Sequence, residues 1–327
     1  MKKDDIIAAL RRVGLQPGDH VVVHSSLKSF GRVDGGPDAV IDALEDAVTE
    51  CGTVVMPTYS GQLIYVLERL ALRAGVNGAG SGRGTVFEGS LSSLFEELWN
   101  QAHEGGVPYA FATPRDLFKR FSGERKFLER NGWRMELVGS SPNSAVRLTR
   151  DAPPLAEEDI KPWRMPVWTG AIPEAFWRRP ETIRSHQYSG SFSAWGRLAE
   201  KILEGHDDRP GHKFEDHPLY RLMVLGGKIL LLGVDHRSNS SIHVAEWAAL
   251  RELDPEGLES RREFVEDFES INQPLVEAGG QRETKLGSCR IRLASSVAVF
   301  DVVRRILLDI LEREGSAPSR EPASTDS

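Results

Sequence analysis

The 327-residue sequence predicts an α/β fold, a central mostly parallel or mixed sheet with flanking helices. Three observations carry that expectation. Val21, Val22 and Val23 are consecutive, as in a strand buried on both faces. Strand, helix and strand signals follow one another between His20 and Met56, the order of a βαβ unit. A further apolar run, KILLLGV at 228–234, has the length and flanking glycines of another buried strand.

The elements read in order as follows. Ile6, Ile7, Leu10 and Val13 recur at helical spacing, and Gly14 with Pro17-Gly18 stops that helix. The first strand covers His20–His24. Pro37 opens a second helix with Val40, Ile41, Leu44 and Val48 on one face. Residues 52–56 form a second strand, ended by Pro57. Gly78 to Gly84 reads as a flexible loop, because it lacks the Lys-Ser/Thr of a P-loop and no strand leads into it. Leu91–Trp99 and Arg115–Phe121 read as helices, and Pro153-Pro154 and Pro162 mark a linker. Ser191–Leu203 reads as a helix, Lys228–Val234 as the third buried strand and Ile242–Leu250 as the helix after it. Ser288–Leu293 is a candidate strand, Val299–Leu311 a closing helix, and the Ser/Pro/charge-rich tail 315–327 reads as disordered. The expected division is one α/β domain over 1–314, interrupted by a mostly helical insertion at about 61–165.

Composition narrows the function. Apolar residues make up 40% and charged residues 27%, which suits a packed soluble core. A net charge of −7 argues against a nucleic-acid partner and suits a cationic small molecule. No apolar stretch is long enough to span a bilayer and no signal-peptide pattern opens the chain, so no membrane partner is expected. Cys51 and Cys289 are too few for a disulfide framework or a cysteine-rich zinc site, and a reduced, cytoplasmic setting follows as the default.

Two stretches have the residue types of a site. His24-Ser25-Ser26 leaves the first strand, followed by Leu27, Ser29, Gly31 and Gly35-Gly36 ahead of a helix N-terminus. Such a loop offers hydroxyls and N–H groups to an anion, although a plain strand–loop–helix turn fits the same residues. After KILLLGV, Asn239-Ser240-Ser241 can cap a helix on which His243 and Glu246 share a face. A capped helix with a surface ion pair accounts equally for that spacing. Six of the nine histidines lie between His186 and His243, interleaved with Asp207, Asp208, Asp216 and Asp235. Imidazole with carboxylate suits zinc or iron, but no HExxH-type pair occurs, so polar loops around a site are preferred and no metal is expected.

Taken together, these pieces resemble the aminoglycoside 3-N-acetyltransferase family. The resemblance rests on VVVHSSLKSFG at 21–31, Gly35-Gly36, GTVVMPTYS at 52–60, and Gly170-Ala171-Ile172-Pro173-Glu174 with Arg179-Pro180 and Arg184-Ser185. It continues in GGKILLLGV at 226–234, in Asn239-Ser240-Ser241-Ile242-His243-Val244-Ala245-Glu246, and in Lys285 to Asp301. No R/Q-x-x-G-x-G/A loop of the commoner acetyltransferase fold is present.

The resemblance implies an antibiotic acetyltransferase-like fold, acetyl-CoA as acyl donor and a small-molecule amine as acceptor. It implies that His24, Ser25, Ser26, Leu27, Ser29, Gly35 and Gly36, with Thr58, hold the CoA. It also implies His186 or His243 as base, Glu246 as partner carboxylate and Ser240 as a hydroxyl donor. Three departures from the family pattern stand out. The family's Arg-Ser-x-His-Pro becomes Arg184-Ser185-His186-Gln187-Tyr188, so its catalytic histidine falls on Gln187, which has no basic nitrogen at neutral pH. The family threonine of Thr-x-x-His-x-x-Glu is Ser240, and a family serine becomes His217. The segment before Gly170 is longer than the family's and carries Tyr109, Phe111, Trp133, Trp163 and Trp168. It reads as a pocket cover, a peripheral subdomain or the contact of a homodimer. Beside the acetyltransferase stand two alternatives: a CoA-binding member with lost or altered catalysis, and a metal-dependent hydrolase.

Overall fold

The structure is a computed structural model that describes residues 1–74, 84–104, 112–139, 141–151, 155–187, 190–207, 213–253, 265 and 267–313. The glycine run ahead of Gly84, Tyr109, Phe111, Pro153-Pro154, Tyr188, Asp208, His212 and the tail 315–327 lie outside those residues. The chain forms two compact units, Met1–Pro57 with Gly170–Ser185 and Phe192–Ser327, and Thr58–Thr169 with His186–Ser191.

In chain order the first unit opens with α1 (Lys3–Val13), β1 (His20–Ser25), α2 (Gly36–Val48) and β2 (Thr53–Pro57). The second unit follows with α3 (Gln62–Arg73), β3 (Gly84–Ser90), α4 (Leu91–Glu104), α5 (Pro114–Arg130), β4 (Trp133–Val138) and β5 (Ala145–Arg150). The first unit resumes with α6 (Ala171–Trp177), β6 (Ile183–Arg184), β7 (Phe192–Gly196), α7 (Ala199–Leu203), α8 (Pro218–Val224) and β8 (Lys228–Leu232). It closes with α9 (Ser241–Leu253), α10 (Asn272–Glu277), β9 (Gln281–Leu286), β10 (Cys289–Ser295) and α11 (Ser296–Arg313).

The first unit is built on one seven-stranded mixed sheet in the order β6-β7-β2-β1-β8-β10-β9. Its centre is parallel: β1 pairs with β2 on one side and β8 on the other, as the valine run and KILLLGV predict. Val21 and Val23 join Val54, Met56, Leu230 and Leu232 on one face, covered by Ile6, Leu10 and Val13 of α1 and Ile41, Leu44 and Val48 of α2. The period of two sends Val22 and His24 to the other face, where α8 meets β1.

One sequence expectation is overturned. Ser191–Leu203 is not a single helix: Phe192–Gly196 is β7, and only Ala199–Leu203 is helical. Five residues pair antiparallel with β2, from Pro57↔Phe192 to Thr53↔Gly196. Gly196 turns out of the strand at φ +100, where any Cβ would lie 2.4 Å from the Gly52 carbonyl oxygen. A free strand edge on β2 therefore outweighs the local helical spacing.

Among the described residues the second unit holds three α-helices, as expected of a mostly helical insertion, but also an antiparallel sheet in the order β3-β5-β4 that the sequence did not reveal. Its core gathers Leu63, Leu67 and Leu70 of α3, Leu94 and Leu98 of α4, and Phe121 and Leu128 of α5 around Trp133 and Leu148. Within it, buried Arg150 meets Glu68 at 2.9 Å, and the Trp133 indole N–H donates to the same carboxylate at 2.9 Å.

One glycine ties fold to site. Gly233 follows β8 at φ +67, and a Cβ there would lie 1.7 Å from Ser29 Oγ. Gly226 has a similar φ of +68 but open space around it. Gly233→Ala should therefore destabilise the protein by about 2–4 kcal/mol, and Gly226→Ala by about 1 kcal/mol, in denaturant titrations. Equal effects would show that backbone strain alone matters.

Candidate active site

The site residues collect where β1 and β8 end. Ser25 of β1 lies opposite Leu232 of β8 in the parallel register, and Ser26 N–H donates to Leu232 O at 2.9 Å. Both following loops therefore leave the same end of the sheet, where α/β proteins place their ligands. The loop after β1 is anchored three ways. Ser29 Oγ donates to Ser26 O at 2.7 Å and contacts Cys289 Sγ at 3.3 Å, and Ser288 Oγ donates to Ser29 O at 2.8 Å. Leu27 and Ser29 lie in a 3-10 turn whose preceding residue, Ser26, does not cap it with its hydroxyl. Gly35 and Gly36, at φ +87 and +61, lead into α2 with no side-chain cap.

His24 is buried, and burial together with neighbouring His236 pulls its pKa down to about 3. It is a neutral ring at working pH. Its Nε2 and the Ser25 hydroxyl are buried without a hydrogen-bond partner among the described residues. His236 is better served. Its Nε2 bonds Gln281 Oε1 at 2.7 Å, its Nδ1 bonds Asn239 Nδ2 at 3.2 Å, and its backbone N–H donates to Glu269 Oε2 at 2.9 Å. An amide nitrogen can only donate, so Nδ1 accepts and Nε2 carries the proton. Burial lowers the pKa of His236 as well.

Asn239 also caps α9, its Oδ1 accepting from Ser241 N–H at 3.1 Å, and Ser240 sits in the turn between them. One turn into α9, His243 Nδ1 stands 3.5 Å from Glu246 Oε2. The two partners differ sharply in exposure, 39% for His243 and 1% for Glu246. Val265 N–H donates to Glu246 Oε1 at 2.8 Å, and the Phe268 ring meets the His243 imidazole edge-on at 4.8 Å. A buried, anchored carboxylate behind a half-exposed imidazole is the arrangement of a general base with its orienting group.

Other polar groups nearby are largely neutralised. An open depression of about 520 Å³ is edged by Ser29, Asp235, Arg237, Glu269 and Arg292. Arg237 pairs with Asp235 and Asp267, and Arg292 with Glu269 and Glu283. Ser185 Oγ bonds His206 Nδ1 at 2.9 Å in the interior, and His217 Nδ1 accepts the Leu219 N–H that opens α8. Arg184 lies over the Trp177 ring at 4.6 Å, and burial draws its pKa down to about 9.

Two sequence-predicted residues belong to the second unit. Thr58 is buried, and its hydroxyl donates to Ser191 O at 3.3 Å. His186 is exposed and stacks on Trp163, with ring centroids 4.5 Å apart and planes 18° from parallel. Gln187 spends its side-chain oxygen on the Gly190 N–H. Among the described residues no group of three or more His, Cys, Asp or Glu side chains is placed to hold a metal ion. The sequence reading missed the Asn239–His236–Gln281 chain, because Gln281 follows His236 by 45 residues.

The buried imidazoles set a pH dependence. Between about pH 6.5 and 3 the unfolded chain binds a proton at position 24 that the folded chain does not, so stability falls as pH drops. His24→Asn should shrink the loss of melting temperature between about pH 7 and 5, leaving the parts due to His236 and His20, whose pKa values burial also lowers. An unchanged pH slope would mean that His24 is already solvated.

Comparison with known proteins places this geometry. The family model described as aminoglycoside 3-N-acetyltransferase matches residues 22–66 and 156–308. The SPbeta prophage-derived aminoglycoside N(3')-acetyltransferase-like protein YokD of Bacillus subtilis (strain 168) is 27% identical over 317 residues, 93% of this chain and 91% of its own. Its crystal structure matches with a TM-score of 0.56 at 26% identity, covering 94% of this chain and 100% of the other. Aminoglycoside N(3)-acetyltransferase IX of Micromonospora chalcea is 26% identical over 322 residues, 89% of this chain and 88% of its own. The structure of AAC-IIIb in binary complex with CoASH shares the fold, with a TM-score of 0.57 at 21% identity over 98% and 99% of the two chains. The matched stretches take in most of β1, α2, β2, the turn before α9, the His243–Glu246 pair and β10, more than half of the sequence, and the chain belongs to the aminoglycoside 3-N-acetyltransferase family.

Proposed function

We propose that this chain is an acetyl-CoA-dependent N-acetyltransferase whose acceptor is an amino group of an aminoglycoside or a related amino-bearing metabolite. Family membership supports the reaction class. The single observation that carries the site is the contact of His243 Nδ1 with the buried Glu246 carboxylate. The loop 24–36 suits the donor on a second observation: His24 Nε2 and Ser25 Oγ are buried polar atoms with no hydrogen-bond partner among the described residues.

The chemistry asks little of the protein. Only a free amine attacks a thioester carbonyl, and such amines titrate near neutrality, about 8. The Glu246 carboxylate, 3.5 Å from Nδ1, favours the tautomer of His243 with its proton on that side, which leaves Nε2 to take the proton shed by the attacking nitrogen. The C–N bond forms as the C–S bond breaks, and the same proton is available to the leaving thiolate. The Ser240 hydroxyl and loop N–H groups are the donors for the transient oxyanion. His186, on its Trp163 platform, is the remaining imidazole candidate, and Thr58 keeps its assignment to the donor side within this proposal.

The same proposal covers the finer features. It takes residues 1–314 as one acetyltransferase domain with an insertion at about 61–165, supported by a family match that skips 67–155. It places the protein in the cytoplasm, in an antibiotic-resistance role, as a homodimer. Among the described residues no helix is long and apolar enough to cross a membrane.

Purified protein incubated with acetyl-CoA and a panel of aminoglycosides should release free thiol only when an acceptor is present. His243→Ala should lower kcat about 10²- to 10⁴-fold while calorimetry still detects CoA binding. Glu246→Gln should lower kcat with CoA binding likewise retained. CoA binding without turnover on any amine would favour a binding protein, and full activity in His243→Ala would move the base to His186.

A further inference from the structure

Strand β4 borders the second unit's sheet, and its outer edge has an unusual regularity. It pairs with β5 without a break from Trp133↔Arg150 to Val138↔Ala145. Asp151 N–H donates to Gly132 O at 2.6 Å, which makes 132/151 a hydrogen-bonded pair of that ladder. Alternation then points the backbone groups of Arg134, Glu136 and Val138 at β5. Those of Trp133, Met135 and Leu137 point to the open side. Among the described residues no strand pairs with that side. A groove of about 500 Å³ runs beside it, lined by Phe118, Phe121 and Leu128 of α5 with Met135 and Leu137, and edged by the paired Arg125 and Glu129 of α5. The opposite border strand, β3, is interrupted by an irregularity between Thr85 and Phe87, a common protection of sheet edges. β4 has no bulge, proline or lysine, and Val138 at its end is 79% exposed.

We infer that β4 is a homodimer interface, pairing antiparallel with β4 of a second copy about a two-fold axis through Met135. The charges select that register. Outward backbone groups pair with each other when the axis passes through residue 134, 135 or 136. An axis at 134 sets Arg134 against itself, and one at 136 sets Glu136 against itself. An axis at Met135 sets Arg134 against the second copy's Glu136 twice over, in non-hydrogen-bonded pairs where side chains approach most closely. The same register sets Trp133 opposite Leu137 and Met135 opposite itself. Arg134 is available for this contact: its Nε bonds Asp151, and its two Nη groups have no partner among the described residues. The two three-stranded sheets would become one of six strands with no open β4 edge. This inference concerns assembly and stands apart from acetyl transfer.

Charge reversal tests it on the full chain by sedimentation equilibrium. The unaltered protein should dimerise at micromolar concentration. Arg134→Glu alone and Glu136→Arg alone should each weaken the dimer by at least about tenfold, because like charges then face each other twice. Mixing the two variants should restore association as a heterodimer, since every reversed charge then meets its opposite. Heterodimer recovery also shows that both variants are folded. A monomeric unaltered protein, or a dimer that neither reversal weakens, would overturn the proposal.

Discussion

Parallel pairing of β1 with β8 is the constraint on which the first unit's chemistry depends. These strands are distant in sequence, yet their register sets Ser25 beside Leu232 and sends two loops out of one end of the sheet. One loop supplies hydroxyls and amides, the other leads to the cap of α9 and the His243–Glu246 pair. The pairing holds because both strands are apolar on both faces, so each loses water only when flanked by strands and covered by helices. Gly233 permits the closest approach, where Ser29 occupies the space a side chain would fill.

Burial then divides the imidazoles by task. His24 and His236 are enclosed and held neutral by burial, and His236 is tied by hydrogen bonds to Gln281 and Asn239. His243 is half-exposed with a carboxylate at its back, which is what a proton acceptor requires. The surrounding arginines are engaged with carboxylates, so the site does not depend on a surplus of cationic side chains. An acidic protein of this kind can receive a polycationic acceptor without strong repulsion.

Much of the first unit was legible in the sequence because its signals are local. Three adjacent valines, Pro37 at a helix start, KILLLGV and the i, i+3 spacing of His243 and Glu246 each act within a few residues. Misreadings arose where a distant partner decides. Phe192–Gly196 becomes a strand because β2 offers an edge, although its spacing also fits a helix. β9, with the sequence QRETKL, is nearly all polar and becomes a strand by pairing with β10. In the insertion, AVRLTR and WRMELV do alternate, but each needs the other to form a ladder. The resemblance set Gln187 where the family has a histidine, a departure readable from the sequence alone. The Trp163 platform beneath His186 was not readable there, because 23 residues separate the stacked rings.

The most direct test of the central claim is a crystal structure of the protein with CoA bound. The account predicts the pantetheine arm along residues 24–36, with its sulfur within hydrogen-bond reach of His243 Nε2, directly or through one water. A CoA molecule bound away from the ends of β1 and β8, or a sulfur remote from His243, would contradict it.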